Sequence, residues 1–279
     1  LPAYLEGTAQ PCLFADDTSC VIGGATAGAA ADCAACTTSR VADYSTANSL
    51  SLNRSKTQEL RLERGVPASG PQPTLLLLGV HLDARLTFSH HHTLLLRDAR
   101  ARVAVVRRLR TSISRGPLLR MAAFSLVIGK IQPSTWVTWR VRLSPDQPVP
   151  ADAREAQVVI NDLARVLLGV RRAQHIRVED LITRSGLPTI NQIAVSQAGV
   201  AAWRAMSQGD SSPLTNLLQP HDARTRAASK VLVRPAHHSC IASLNMSQVW
   251  NASPDLRSAK TLNAARKKAQ EFALSKRFF

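Results

Sequence analysis

Two adjacent aspartates, Asp16 and Asp17, stand between two apolar segments in the stretch QPCLFADDTSCVIGG, which runs from Gln10 to Gly24. Apolar arms on both sides of a short polar centre favour a β-hairpin over residues 10–22, with the two acids at its tight turn. Aspartate is common in turns because its carboxylate accepts hydrogen bonds from nearby backbone, so a structural role is one interpretation. The other is a metal site. Two like charges placed together cost free energy unless a cation neutralises them, and Mg²⁺ prefers carboxylate oxygens and phosphates.

The segments around the hairpin predict the second half of an α+β sheet domain. The apolar side chains of the hairpin arms are expected to be buried: Leu13, Phe14, Val21 and Ile22. A helix is predicted over 26–50, with small alanines that let it lie close against a sheet. Residues 56–63 alternate as a strand does, and residues 75–82 predict a buried strand in which Gly79 permits a close backbone approach or a bulge. The second half of the chain predicts helices over 151–170, from 178 to Gly186, and over 189–206.

Three short motifs follow one another along residues 10–90. They are Phe14-Ala15-Asp16-Asp17, then Asn53-x-x-Lys56-Thr57, then Leu78-Gly79-Val80-x-Leu82-Asp83-x-x-Leu86-x-Phe88. In this order they resemble the aromatic-x-Asp-Asp hairpin and the next two motifs of reverse transcriptases from non-LTR retrotransposons. The resemblance implies an α+β fold, an incomplete polymerase palm (β-hairpin, helix, strands) followed by a mainly α-helical thumb and C-terminal region. The implied regions are a partial palm over 1–88, a basic thumb-like region over 89–145 and a helical region over 151–279.

The resemblance also implies RNA-directed DNA polymerase chemistry, in which two Mg²⁺ ions (Mn²⁺ as an alternative) act on a deoxynucleoside triphosphate and a DNA primer paired to an RNA template. It assigns Asp16 as the favoured direct metal ligand, with Asp17 beside it. Lys56 would neutralise or protonate the leaving pyrophosphate. The alternative, that Lys56 is only a surface lysine at the start of a strand, is equally well supported. The segment Leu78, Gly79 and Val80 would approach the primer end.

The sequence departs from the family because it lacks the segments that precede the Asp-Asp hairpin in these enzymes. The upstream strand with a further metal-binding Asp, the glycine-containing template-contacting segment and the fingers region have no counterpart in these 279 residues. The chain is therefore expected to be the C-terminal part of such an enzyme, with a cut end at Leu1, and to be inactive in isolation.

Outside the three motifs, the main functional prediction concerns a helix predicted over 90–114. The chain has a net charge of +16, which favours a polyanionic partner, nucleic acid first and an acidic membrane surface second. Seven arginines lie on or beside this helix and are expected to grip the sugar-phosphate backbone: Arg97, Arg100, Arg102, Arg107, Arg108, Arg110 and Arg115. A solvated helix face without a ligand is the alternative interpretation. His90, His91 and His92 at its start are expected to be a solvated cap rather than a ligand set.

Two other function classes remain open from the residues alone. One is a non-catalytic basic nucleic-acid-binding remnant, and the other is a helical protein-interaction module. Five scattered cysteines do not suggest a disulfide framework, and Cys33-x-x-Cys36 lacks the second pair of a zinc site. No apolar run is long enough to span a bilayer. An intracellular location without membrane contact is expected, and the resemblance implies the nucleus.

Overall fold

The described chain is α+β, with most ordered residues in helices and with strands that pair only as antiparallel hairpins. The computed structural model describes residues 1–62, 73–113, 116–208, 214–220, 232–236 and 240–276. It divides into two units, Leu1–Glu59 and Leu60–Phe279. The functional regions expected over 1–88, 89–145 and 151–279 stay predictions.

The predicted hairpin is present in the first unit. Strand β1 (Gln10–Phe14) pairs with β2 (Asp17–Val21), and Phe14 lies opposite Asp17. The two-residue loop is Ala15-Asp16, and Ala15 has a φ of +53°. A positive φ at the first loop residue belongs to the primed turns, whose twist matches that of the flanking strands. Asp16 therefore lies in the turn, whereas Asp17 begins a strand.

The expected burial of the hairpin arms is wrong. Leu13, Phe14 and Val21 are 52%, 63% and 63% exposed, and Ile22 is half-buried. Among the described residues the hairpin pairs with no third strand, so its apolar side chains have no sheet neighbours to cover them.

Helix α1 (Ala27–Ala47) confirms the helix predicted over 26–50. It begins at Thr26, whose hydroxyl accepts a hydrogen bond from the Ala29 amide and so caps the helix. It does not use its alanines against a sheet, because its buried residues are Thr37 and Ser45. Instead the helix contacts the short turn at residues 3–5, where Leu5 is fully buried.

The strand predicted over 56–63 is absent from its described part, residues 56–62. A turn forms at this place because the Asn53 side-chain oxygen accepts hydrogen bonds from the Ser55 hydroxyl and the Lys56 amide. Such Asx turns compete with extended structure. Residue 63 lies outside the described residues.

The single strand predicted over 75–82 is a hairpin. Strand β3 (Thr74–Leu77) pairs with β4 (Val80–Asp83), and Leu78-Gly79 forms the turn with positive φ at both residues. A type I′ turn requires this conformation, and glycine adopts it without steric cost. An added Cβ at Gly79 would meet nothing within 4 Å, so the expected close approach or bulge is wrong. Leu76 and Leu78 are exposed rather than buried.

Helices and one further hairpin form the rest of the second unit. They are α2 (Ser89–Ser112), α3 (Pro117–Ala123), a π-helical turn (Phe124–Ile128), α4 (Gly129–Thr138), α5 (Ala151–Leu168), α6 (Val178–Ser185), α7 (Ile190–Gln208), β5 (Leu218–Pro220), β6 (Val233–Pro235), α8 (Ile241–Ala252), α9 (Pro254–Arg257) and α10 (Leu262–Leu274). Helices α5 and α6 end at Gly169 and Gly186, as the sequence predicts, and both glycines adopt the left-handed conformation. None of the described helices is long and apolar enough to cross a bilayer.

Two apolar clusters hold these helices together. The first joins α2 to α6 and the start of α7, and the second joins α7 to α10 with β5 and β6. Leu163 of α5 is fully buried in the first, and Met246 of α8 is fully buried in the second. Helix α8 was not predicted, because it is buried on most sides and its buried residues include the polar Ser243, Asn245 and Ser247, so that no apolar stripe marks it in the sequence.

Candidate nucleic-acid interface

Helix α2 forms because its apolar residues recur at helical spacing. Leu95, Ala99, Val103 and Val106 lie on one stripe and are 5% exposed or less. This stripe packs on α5, with further contacts to α3 and the π-helical turn. Burial of the stripe fixes which side of α2 faces solvent.

The turn that leads into α2 is held by one buried carboxylate. Asp83 accepts hydrogen bonds from the backbone amides of Arg85, Thr87 and Phe88 at 3.1, 3.0 and 2.8 Å, and from the Thr87 hydroxyl at 3.0 Å. Burial alone would raise the pKa of Asp83, but these hydrogen bonds outweigh it and hold the pKa below its ordinary value. Leu86 and Phe88 both have positive φ. The carboxylate therefore stabilises a strained entry to the helix.

The histidines at the start of α2 are buried, so the expectation of a solvated cap is wrong for two of them. His91 and His92 are 3% and 4% exposed. The His92 Nδ1 lies 2.6 Å from the Asp152 carboxylate on α5, and its ring stacks on Trp139 at 4.5 Å between centroids. The Trp139 indole donates to the same carboxylate at 2.9 Å. This group attaches the first turn of α2 to α5.

His91 lies in a buried, crowded environment. Its Nδ1 accepts a hydrogen bond from the His81 amide at 3.3 Å. Burial, followed by the nearby His92, His81, Lys130 and His90, lowers the pKa of His91 to about 4. The Nε2 atoms of His91 and His92 are buried and have no hydrogen-bond partner among the described residues. Protonation of His91 would therefore place an uncompensated charge in this group.

Four of the predicted arginines share the solvent-facing side of α2: Arg97, Arg100, Arg107 and Arg108. At 3.6 residues per turn they fall within an arc of about 100°, away from the buried stripe. We call this surface the α2 arginine face. Arg100 is 3.3 Å from Glu155 in an exposed ion pair, which is weak in water. The other three form no ion pair with any residue that the structure describes.

The remaining predicted arginines do not belong to this face. Arg102 is 3.1 Å from Asp98 and also donates to the Leu126 carbonyl, so it packs α2 onto the π-helical turn. Arg110 is half-buried near the end of the helix. Arg115 lies outside the described residues. The phosphate-contacting set supported by geometry is therefore smaller than the sequence predicts.

The first unit contains the predicted metal ligands. Asp16 and Asp17 are both exposed, and no hydrogen bond or ion pair is formed by either carboxylate within residues 1–62. No group of three or more His, Cys, Asp or Glu residues suited to a metal ion occurs among the described residues. Lys56 is exposed in a turn rather than at a strand start. These three side chains alone do not complete a two-metal site.

The predicted primer-contacting residues lie in the second unit, at the turn between β3 and β4. Leu78 and Gly79 form the turn itself, and Val80 is the first residue of β4, paired with Leu77. The exposed Leu78 side chain sits at the tip of this hairpin. The loop after β4 leads directly into α2 through the Asp83 network.

Sequence reasoning missed the residues that orient α2. Asp152 and Trp139 lie far along the chain from His92, and nothing in the local pattern links them. A partial signal exists in Asp83, because an aspartate followed at short spacing by Thr87 and Ser89 is typical of a turn that precedes a helix. The chain matches no protein-family model, no curated protein and no solved structure.

Proposed function

We propose that this chain binds the sugar-phosphate backbone of nucleic acid through the α2 arginine face, without reading sequence. The observation that carries the proposal is the clustering of four exposed arginines on one side of a packed helix, three of them without an ion pair to any described residue. Guanidinium groups bind phosphate strongly and in fixed geometry. Contacts of this kind position a protein on nucleic acid but carry no base specificity.

The rigidity of α2 strengthens this proposal. The helix is attached to α5 by the buried stripe and by the pair of His92 and Asp152. Asp98 lies close to Arg102 and to Lys130 at 3.1 and 3.7 Å, and therefore does not offset the charges on the α2 arginine face. Positive charge held on a pre-organised surface loses little conformational entropy when it binds.

Within this function we propose a thumb-like role in the C-terminal part of a non-LTR reverse transcriptase, with an RNA template and DNA primer as the bound hybrid. The three ordered motifs support it, as does the exposed apolar surface of the β1–β2 hairpin, which a larger sheet would cover. Asp16 and Asp17 would supply carboxylate oxygens to Mg²⁺ in the complete enzyme. The described residues bring no third ligand to them, so we expect no nucleotidyl transfer by this chain alone. A nuclear location belongs to the same proposal.

The test is duplex binding by the full chain as a function of salt. Four phosphate contacts predict a log-log slope of about −3.6, which is a loss of roughly 150-fold between 50 and 200 mM salt. The triple variant Arg97→Gln, Arg107→Gln, Arg108→Gln should flatten the slope by about 2.7. The matched control removes the same charge from exposed arginines elsewhere: Arg177→Gln, Arg184→Gln and Arg266→Gln. Equal effects of the two triple variants would refute a specific α2 interface.

The second candidate is a helical protein-interaction module. It is favoured by one observation, the exposure of Leu118 and Met121, which lie one turn apart on α3. Exposed apolar pairs of this kind occur at protein interfaces. Affinity for nucleic acid that does not change with salt would favour this candidate over the first.

A further inference from the structure

A small cavity lies in the second unit, with a volume of about 180 Å³. The segment 139–150, α5 and the starts of α6 and α7 enclose it, and none of its described lining residues lies on α2. Six apolar residues form much of the wall: Val149, Pro150, Ala153, Val178, Ile190 and Ala194. Such a wall favours an apolar occupant, because binding then removes apolar surface from water.

The neutral polar side chains of the wall already have partners within the protein. Gln157 accepts a hydrogen bond from the Ile190 amide at 2.9 Å and donates to the Asn161 Oδ1 at 3.0 Å. The Trp139 indole donates to the Asp152 carboxylate at 2.9 Å. Because these hydrogen bonds would have to be broken, a polar ligand gains little from the same groups.

The buried arginine of the wall is also engaged by the protein. Arg142 is only 7% exposed, and its guanidinium donates to the Gln147 and Pro145 carbonyls at 2.8 and 2.7 Å. Asn191 accepts a hydrogen bond from the Arg142 amide at 2.8 Å and donates to the Arg142 carbonyl at 2.9 Å. Arg142 therefore orders the segment 139–150, and the interior of the cavity suits an apolar group rather than an anion.

The size of the cavity suits one side chain. Pockets for drug-sized ligands begin at about 300 Å³, whereas an engineered apolar cavity of about 150 Å³ binds benzene. A volume of about 180 Å³ therefore accommodates one leucine or phenylalanine side chain. A single large side chain inserted into a well-packed pocket often supplies most of the binding energy of a protein interface.

The exposed edge of the cavity is positively charged. Arg140 and Arg154 belong to its lining and are exposed, and neither forms an ion pair with any residue that the structure describes. The two acids beside Arg154 in the sequence, Asp152 and Glu155, are paired with other residues. No aspartate or glutamate occurs among the described lining residues. Charge complementarity therefore favours a partner that carries acidic groups next to its apolar side chain.

We propose that this cavity receives one apolar side chain, of leucine to phenylalanine size, from an acidic segment of a protein partner. The side chain supplies the apolar group that the wall favours, and the flanking carboxylates supply opposite charges to Arg140 and Arg154. An apolar centre with a polar rim is the usual composition of a protein interface. Nucleic acid offers phosphate to the two arginines, but only bases with polar edges to the apolar wall. The site does not depend on the α2 arginine face.

Fluorescence anisotropy of two dye-labelled peptides, titrated with the full chain, tests the proposal. Both peptides carry glutamates on each side of a central residue, which is phenylalanine in one and serine in the other. Because their charges are equal, the ratio of the two affinities reports the central side chain alone. We expect saturable binding of the phenylalanine peptide, about tenfold or more tighter than that of the serine peptide. Absence of saturable binding, or equal affinity for the two peptides, would overturn the proposal.

A cavity-filling variant tests where the side chain binds. Ala153→Leu places a larger side chain in the wall and should weaken the phenylalanine peptide by about tenfold while leaving the serine peptide unchanged. Thermal unfolding checks that the variant folds. A folded Ala153→Leu variant that binds the phenylalanine peptide as the wild type does would overturn the proposal. If the variant does not fold, the arginine variants decide the question.

The double variant Arg140→Gln, Arg154→Gln tests the acidic flanks. It should weaken both peptides by about threefold at low salt and have a smaller effect at high salt. Thermal unfolding should be unchanged, because both residues are exposed. The matched control Arg184→Gln, Arg266→Gln removes the same charge from exposed positions elsewhere. Equal weakening by the two double variants would overturn the proposal.

Competition distinguishes the other possible occupants. Duplex DNA should not displace the phenylalanine peptide, and displacement that requires Arg140 and Arg154 would identify nucleic acid as the occupant and overturn the proposal. Toluene supplies the apolar group without the acidic flanks. A rise in the thermal unfolding temperature with toluene, without binding of the phenylalanine peptide, would assign the cavity to a small apolar molecule and would equally overturn the proposal.

Discussion

The two units differ in what their apolar side chains contact. In Leu1–Glu59 the only buried apolar residue is Leu5, whereas the described part of Leu60–Phe279 contains two extensive clusters of buried apolar residues. The first unit owes its hairpin to turn chemistry at Ala15-Asp16 and its helix to the Thr26 cap. The second owes its structure to helix packing. Local signals can thus specify secondary structure without specifying a core.

Substitution of apolar side chains should reveal the largest difference between the two units in the free energy of unfolding. Leu163→Ala should lower the free energy of unfolding by about 2–5 kcal/mol, because it leaves a cavity in the first apolar cluster. Leu13→Ala, made at a side chain that is already exposed, should change it by about 0.5 kcal/mol or less. Urea unfolding followed by circular dichroism measures both. A large loss for Leu13→Ala would show that the hairpin has a buried partner.

Acid should destabilise the second unit through His91. The unfolded chain binds a proton near the ordinary histidine pKa of 6.5, but the folded chain does so only near 4. Stability is therefore complete above about pH 6.5 and falls as the pH is lowered towards 4, by up to about 3 kcal/mol.

Unfolding by urea at several pH values measures this loss. His91→Gln should make the profile shallower between pH 6.5 and 4, while His175→Gln, at an exposed position, should leave it unchanged. Identical profiles for the wild type and His91→Gln would contradict the role of burial.

The smallest effect is expected at the aspartate hairpin. Without metal, Asp16→Asn should be neutral or stabilising by a few tenths of a kcal/mol, because it relieves repulsion between exposed like charges. Asp43→Asn, at an exposed aspartate of α1 without an adjacent acid, is the matched control. Thermal unfolding in chelator-treated buffer, repeated with Mg²⁺, measures the difference. A loss above about 1 kcal/mol for Asp16→Asn without metal would indicate a structural turn carboxylate.

Local pattern was sufficient where neighbours in sequence decide the structure. The β1–β2 hairpin, the start of α1 at Thr26 and the ends of α5 and α6 at Gly169 and Gly186 were all predictable, because caps and turns depend on hydrogen bonds over a few residues. The strand predicted over 56–63 is absent from residues 56–62, where the Asn53 side chain forms a local turn and no other described strand pairs with the segment. Alternation indicates a strand only when a neighbouring strand is present to pair with it.

The candidate interface shows the same division. The sequence by itself determined that a basic helix follows the motifs, since the period of Leu95, Ala99 and Val103 is local. Only the tertiary structure decided that Arg102 packs inward, that His92 pairs with Asp152, and that Arg140, Arg142 and Arg154 line one cavity. Contacts between side chains far apart in the chain depend on how helices pack, and helical periodicity specifies which face is buried but not which partner covers it.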